Sequence, residues 1–194
     1  MKGSALLLPL LLGGALAGGG SLPWRSLTPA GDWTTSAAVQ PAQPCPSLTL
    51  PPDWEVRTGV LADVTGDGTP ECVLAVWRPW RDWHTARWSA RPTPIQGNRD
   101  ARGFSSHVAV LRPLGGGRYR EVWVGSALFQ PVSALTVLPG GTLATLETTY
   151  AAPGAPARAL SLWHWTGFGF RLDRRAPALA REVHPDALGR PAVR

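Results

Sequence analysis

The chain has few charged side chains and almost no lysine. Charged residues make up 16% of its 194 residues, whereas 44% are hydrophobic. Disorder driven by charge needs the opposite balance, so this composition excludes it and allows a sizeable core. Lys2 is the only lysine, so almost all of the basic side chains behind the net charge of +6 are arginine.

Sequence patterns that identify common catalytic sites are also missing. The chain contains no H-E-x-x-H, C-x-x-C, phosphate-binding loop or G-x-S-x-G pattern. The four histidines stand apart from one another: His84, His107, His164 and His184. We therefore expect a protein that is not an enzyme. The alternative is a triad assembled only in space, for example from Asp82, His84 and a distant serine.

What the chain does contain predicts strands. It has 22 glycines and 20 prolines and no convincing helix pattern. Eight strand candidates lie at residues 54–62, 72–77, 107–111, 119–124, 132–138, 143–148, 160–165 and 168–172. They form two sets of four, because H-V-A-V-L-R-P-L-G-G-G-R-Y-R at 107–120 matches R-A-L-S-L-W-H-W-T-G-F-G-F-R at 158–171. The sequence therefore predicts an all-β fold of two four-stranded antiparallel, blade-like sheets, as a partial β-propeller or as packed sheets.

The first residues have the pattern of a secretory signal peptide. Lys2 precedes an apolar run, and Ala15-Leu16-Ala17 fits a small-x-small cleavage site. The run is shorter than the roughly 20 apolar residues of a membrane-spanning helix, and no cysteine follows it as in a lipoprotein. We expect export to the cell envelope or beyond, with no transmembrane span after cleavage. An uncleaved N-terminal anchor is the alternative.

Composition divides the chain into segments with different expected roles. We expect a signal peptide at 1–17, a Pro/Ala-rich extended leader at 18–52, a β domain at 53–175 and a C-terminal tail at 176–194. The β domain contains one blade at 53–126 and a second at 127–175. Cys45 and Cys72 are the only cysteines. In an oxidising compartment they could form one disulfide, and two free thiols are the alternative.

The most specific motif is Asp63-Val64-Thr65-Gly66-Asp67-Gly68-Thr69-Pro70-Glu71. Oxygen-bearing side chains at its positions 1, 3, 5 and 9, with glycine at 6, match the first nine positions of a calcium loop. The expected ligands of a calcium ion are Asp63, Thr65, Asp67, the Thr69 carbonyl and Glu71. Leu74 stands where a helix-loop-helix sensor has glutamate. The alternative is an Asp-Gly turn with solvated carboxylates.

The strand, the D-x-x-G-D-G-x-x-E loop and the following apolar strand at 60–77 resemble the FG-GAP/VCBS repeat of integrin-type β-propellers. The resemblance implies that this loop joins the first two strands of a blade and binds calcium. The second set has Leu138-Pro139-Gly140-Gly141-Thr142 at the matching place, so no second metal site is implied. V-W-R-P-W at 76–80 and W-V-G-S-A-L at 123–128 also resemble an uncharacterised group of exported bacterial repeat proteins, which implies no activity.

A tryptophan- and arginine-rich insertion separates the second and third strands of the first set. Its candidate ligand-binding residues are Trp77, Arg78, Trp80, Arg81, Trp83, Arg87 and Trp88. Tryptophan stacks on flat groups and arginine pairs with anions, so an anionic glycan or an envelope protein would fit, whereas export disfavours nucleic acid. The alternative is a cap that packs over the sheet.

These features together predict an exported, calcium-stabilised β-repeat module that acts in binding or structure at the cell envelope. Such a module could associate into oligomers, since two blades cannot close a ring. One alternative is a hydrolase of envelope polymers whose substrate site is lined by the insertion. Another is a scaffolding partner in a larger complex.

Overall fold

A computed structural model of the chain describes residues 22–81 and 95–194. These residues form strands and no helix, so none of them belongs to a helix that could span a bilayer. The strands are β1 (Arg25–Leu27), β2 (Trp33–Thr35), β3 (Glu55–Ala62), β4 (Glu71–Pro79), β5 (Phe104–Gly115), β6 (Arg118–Val124), β7 (Val132–Val137), β8 (Leu143–Glu147), β9 (Ala157–Trp165), β10 (Phe170–Ala180), β11 (Val183–Pro185) and β12 (Pro191–Val193).

The strands form three four-stranded antiparallel sheets. The orders are β3-β4-β5-β6, β7-β8-β9-β10 and β11-β12-β1-β2. The predicted all-β class and the two predicted four-stranded sheets are confirmed, and each of the eight strand candidates overlaps one of the strands β3–β10. The third sheet is additional, and it joins strands from the leader to strands from the tail.

Strand β4 of the first sheet is buried on both faces, which explains its continuous apolar run. Val73 and Ala75 pack toward the second sheet. Cys72, Leu74 and Val76 point the other way, toward the leader. Because neighbouring side chains of a strand alternate between faces, burial on both faces requires apolar residues at every position.

The leader covers the outer face of the first sheet. Leu48, Leu50 and Trp54 pack against the outward side chains of that sheet. A disulfide joins Cys45 in the leader to Cys72 in β4, with their Cα atoms 5.5 Å apart. The leader is thus fastened to the sheet both by apolar packing and by a covalent bond.

The strands named first in the three sheet orders, β3, β7 and β11, bring the sheets into contact. β7 contacts β3 on one side and β11 on the other. Between the first and second sheets the core contains Val60, Val64 and Leu135. Between the second and third sheets it contains Leu27, Leu146 and Val193, among other residues. The second sheet is therefore the middle layer, and strand β8 is buried throughout.

A loop joins the two strands named first in each sheet order, which are β3 and β4, β7 and β8, and β11 and β12. We call these three connections the inner loops. They are residues 63–70, 138–142 and 186–190. Gly141 has a φ of +82°, and a Cβ atom there would lie 3.3 Å from the carbonyl oxygen of Asp63. A Cβ atom at Gly189 would lie 3.1 Å from Cγ of Pro139. The three inner loops are thus in successive contact.

Candidate functional site

The first inner loop is shaped by the carboxylate of Asp63. Its Oδ1 accepts a hydrogen bond from the Gly66 amide at 2.7 Å, and its Oδ2 accepts one from the Gly68 amide at 2.8 Å. Both glycines have positive φ angles, which glycine adopts readily. The carboxylate at position 1 of the expected calcium motif therefore accepts one amide hydrogen bond on each oxygen, and each oxygen retains a second lone pair.

The other two carboxylates of the loop meet an arginine from β5. Nη2 of Arg112 lies 2.6 Å from Oδ2 of Asp67, and Nε lies 3.2 Å from Oε1 of Glu71, which Nη2 also contacts. Glu71 is fully buried. The hydrogen bond from Arg112 lowers the pKa of Asp67, and the hydrogen bond to Glu71 raises the pKa of Arg112.

Two threonines complete this arrangement. The Thr65 hydroxyl donates to the two carboxylate oxygens of Glu71, at 3.3 and 3.4 Å. The Thr69 amide donates to Oδ1 of Asp67 at 2.9 Å. Four of the five residues expected to bind calcium therefore lie in this loop, and Glu71 is the first residue of β4. The side chains of Asp63, Thr65, Asp67 and Glu71 accept or donate hydrogen bonds within the protein.

This donor set, as arranged, does not fit a calcium ion. Calcium takes six to eight oxygen ligands, from carboxylates, carbonyls and water, that converge on one point. Here the Arg112 guanidinium lies between two of the carboxylates, those of Asp67 and Glu71, and a cation already occupies the place between them. Within residues 22–81 and 95–194, no group of three or more His, Cys, Asp or Glu residues could hold a metal ion. Calcium binding stays a prediction.

The third inner loop has a similar carboxylate that sequence reasoning missed. Asp186 is buried, and its Oδ1 accepts hydrogen bonds from the amides of Leu188 and Arg190 at 2.9 and 2.8 Å. Its Oδ2 accepts one from Nε of Arg190 at 2.8 Å. The available sequence signal was the pattern Asp-x-x-Gly-Arg at 186–190, but it lies within 176–194, which we expect from composition to be a C-terminal tail.

The tryptophan and arginine residues at the end of β4 mostly pack against the protein. Trp77 is buried, with its ring edge toward Tyr150 at a centroid distance of 5.6 Å. Nε1 of Trp80 donates to the Ile95 carbonyl at 2.9 Å, and the Arg99 guanidinium lies 4.8 Å from the Trp80 ring centroid. These contacts resemble a cap more than an open binding face.

The remaining residues of that candidate set are spread more widely. The Arg78 guanidinium lies 5.4 Å from the Trp54 ring centroid, and Arg81 is exposed with Nη2 3.8 Å from Asp53. Trp83, Arg87 and Trp88 lie outside the described residues, as do Asp82 and His84. The structure therefore brings Trp77, Arg78, Trp80 and Arg81 to the end of one strand.

A serine and a histidine that sequence reasoning did not pair are in contact. Oγ of Ser105 lies 2.7 Å from Nε2 of His107, and Nδ1 of His107 lies 2.8 Å from the Gly125 carbonyl. Both side chains are buried. Burial, with a contribution from the charge of Arg78, lowers the pKa of His107 to about 4. Such a histidine is a weak general base at neutral pH, and the contact mainly satisfies buried polar groups.

An apolar cavity lies between the first and second sheets, and we call it the aromatic cleft. Its volume is about 180 Å³. Its walls are mostly apolar and come from β5–β10 and the β6–β7 connection: Val108, Trp123, Leu128, Phe129, Gln130, Val132, Leu143, Thr145, Glu147, Trp163, Phe170, Leu172 and Arg175. Large apolar side chains mark its mouth, because Phe129 is 74% exposed and Leu172 is 45% exposed.

The cleft has few polar side chains, and four of them, on Thr145, Glu147, Trp163 and Arg175, pair with one another. Nε1 of Trp163 donates to Oγ1 of Thr145 at 2.9 Å. The buried carboxylate of Glu147 pairs with Nη2 of Arg175 at 2.8 Å, and the Arg175 side chain is 46% exposed. Trp123 and Phe170 meet edge to face with centroids 5.4 Å apart. The cleft thus combines an aromatic wall with one accessible guanidinium.

Neither a protein-family model nor a curated protein sequence matches this chain.

Proposed function

We propose that this protein is a non-catalytic binding module of the cell envelope, and that the aromatic cleft is its ligand site. The observation that carries the proposal is the cleft itself, an apolar cavity with one partly exposed cation at its side. Enclosed apolar cavities with a small number of placed polar groups are where proteins usually bind small ligands.

The volume of the cleft limits what enters it. A cavity of about 150 Å³ can hold a benzene molecule, so about 180 Å³ has room for one aromatic ring or a branched aliphatic group of similar size. A whole sugar polymer or a long acyl chain would be too large. The occupant is therefore a small molecule, or a single apolar group of a larger one.

The charge of the cleft favours an anionic substituent on that group. Arg175 can donate several hydrogen bonds, so it can hold the Glu147 carboxylate and a ligand carboxylate together. A cationic ligand would instead have to displace Arg175 from Glu147. The net charge of +6 also attracts anions from solution. We therefore propose an aromatic or branched aliphatic carboxylate as the ligand class.

Three probes that share one ring and differ in charge test this assignment: 3-phenylpropionate, 3-phenylpropionamide and 3-phenylpropylamine. Trp123 and Trp163 line the cleft, so tryptophan fluorescence reports on occupancy. We expect the carboxylate to bind with a Kd on the order of 0.1–1 mM, the amide more weakly and the amine weakest. No saturable change with any probe up to about 10 mM would contradict the site. Tightest binding by the amine would contradict the ligand class.

Two variants locate the binding. The double variant Glu147→Gln/Arg175→Gln removes the ion pair as a unit and leaves no unpaired charge behind. It should weaken binding of the carboxylate by about tenfold and leave binding of the amide nearly unchanged. Arg171→Gln/Asp173→Asn is the matched control, because these two residues form an ion pair on the same strand and neither lines the cleft. Equal weakening in the control would show that the effect does not come from the cleft.

Other parts of the function rest on other observations. The resemblance to FG-GAP/VCBS repeats is supported by the four-stranded meander of each of the first two sheets and by the position of the inner loop at 63–70. Export is supported by the N-terminal pattern and by the disulfide. Mass spectrometry of the exported protein under non-reducing conditions tests both the cleavage of residues 1–17 and the disulfide. Retention of residues 1–17 or two free thiols would contradict the proposal.

A further inference from the structure

The first inner loop carries the sequence of a calcium loop, yet a side chain of the same protein lies at its carboxylates. The Arg112 guanidinium bridges Asp67, which is half-exposed, and Glu71, which is fully buried. A planar guanidinium can bond two carboxylates at once, as a metal ion would. We propose that Arg112 is the permanent cation of this loop, and that the loop folds without calcium.

The pairing of β4 with β5 places the arginine at the loop. Cys72 pairs with Leu111 across these strands, so Glu71 and Arg112 lie side by side just beyond that pair. The Arg112 side chain is only 17% exposed, and it makes contacts with both carboxylates. Its position is therefore fixed by the register of the sheet, whereas a flexible surface arginine would have no such constraint.

The third inner loop also pairs a buried carboxylate with an arginine of this protein. There the buried carboxylate of Asp186 is held by two amides and by the guanidinium of Arg190. The second inner loop, 138–142, has no carboxylate and needs no cation. Among the three inner loops, then, the two that contain acidic side chains both have an arginine bound to them.

Thermal unfolding of the full protein in calcium and in EDTA tests the proposal. The wild-type melting temperature should be the same in both conditions. In EDTA, Arg112→Gln should melt about 8–16 °C lower, because Glu71 is left buried without its partner. Calcium should then raise the melting temperature of this variant in a saturable way, since its carboxylates are free to bind a metal ion.

Arg120→Gln is the matched control. Arg120 pairs with Arg112 across β5 and β6, and it is exposed on the neighbouring strand. This variant loses the same charge without touching the loop, so it should melt like the wild type and show no response to calcium. If Arg112→Gln melts no lower than Arg120→Gln, the proposal is wrong.

Two further results would overturn the proposal. A saturable calcium-induced rise in the wild-type melting temperature, absent from Asp67→Asn, would show that a metal ion is the resident cation. A destabilised Arg112→Gln variant without any calcium response would show that the guanidinium does not occupy a cation position. If Arg112→Gln does not fold, the wild-type comparison between calcium and EDTA still decides, because only independence from calcium agrees with the proposal.

Discussion

The first and third inner loops both pair carboxylates with an arginine, but the two arginines come from different parts of the chain. In the first loop the arginine is Arg112, which comes from β5 and lies far from the loop in sequence. In the third loop it is Arg190, four residues after Asp186. The first loop is therefore neutralised by tertiary structure, and the third by a local contact. We expect the first loop to depend more strongly on the rest of the fold.

The largest effect should come from Glu71→Gln. This change keeps the size of the side chain but removes a fully buried charge, so Arg112 retains only half-exposed Asp67. Breaking a buried ion pair on one side should lower the free energy of unfolding by about 4 kcal/mol. Urea denaturation measures it. A loss smaller than that of the matching variant in the third loop, Asp186→Asn, would reverse the comparison.

The loops and the rest of the core should lose stability at different pH values. His107 has a pKa of about 4, below its ordinary 6.5, because burial disfavours its charged form. The unfolded chain binds the extra proton first, so stability falls by about 3 kcal/mol as the pH drops from 6.5 to 4. His107→Gln should remove most of this stage, and His184, whose pKa burial also lowers, accounts for the rest. An unchanged pH profile in that variant would rule out His107 as its source.

The loop carboxylates should respond only at lower pH. The pKa of Asp67 is lowered by Arg112, and that of Asp186 by Arg190 and by backbone amides, although burial opposes the shift of Asp186. A carboxylate with a lowered folded-state pKa stabilises the protein above the unfolded value of 3.8 and loses this contribution below it. In His107→Gln, the loss that comes from these loop carboxylates should therefore begin only below about pH 4, after the smaller loss that His184 causes at higher pH.

An intermediate effect is expected from Asp186→Asn. The amide side chain can still accept a hydrogen bond through its oxygen, but it loses the charged contacts with Arg190. We expect a loss of about 2 kcal/mol in the free energy of unfolding. Asp32→Asn is the control, because Asp32 is exposed and should change stability by less than about 0.5 kcal/mol. Equal losses would contradict a special role for Asp186.

The smallest effect concerns the contact between the loops. Gly141→Ala places a Cβ atom 3.3 Å from the Asp63 carbonyl oxygen, at a φ of +82°. This change should cost about 1 kcal/mol in thermal or urea unfolding. Gly140→Ala is the control, since its φ of +86° gives the same backbone strain but nothing lies within 4 Å of a Cβ atom there. An equal loss in Gly140→Ala would show that the loops do not press on each other.

The sequence predicted the first two sheets because their strands are long and locally patterned. β4 and β9, for instance, span 9 residues each, and their apolar residues mark them as strands. β1, β2, β11 and β12 span only 3 residues each, too few for a period to be recognised. Their pairing joins the two ends of the described chain, and local sequence carries no information about such a partner.

The site was predictable in part, for a similar reason. Asp63, Asp67 and Glu71 were found because their spacing lies within one loop. Arg112 was visible only as an arginine after a strand, since its contact with Glu71 depends on the register between β4 and β5. The aromatic cleft takes Trp123, Trp163 and Phe170 from three different strands. Only the packing of two sheets reveals that these rings share a wall.

The third sheet has a consequence for the order in which the protein folds. The first two sheets pair strands that are neighbours in sequence, and such local contacts form early because little chain entropy is lost. β1 can pair with β12 only after nearly the whole described chain is available. Closure of this sheet is therefore expected as a late step. Until Leu27 and Val193 pack in place, one apolar face of the second sheet is exposed and can contact non-native partners.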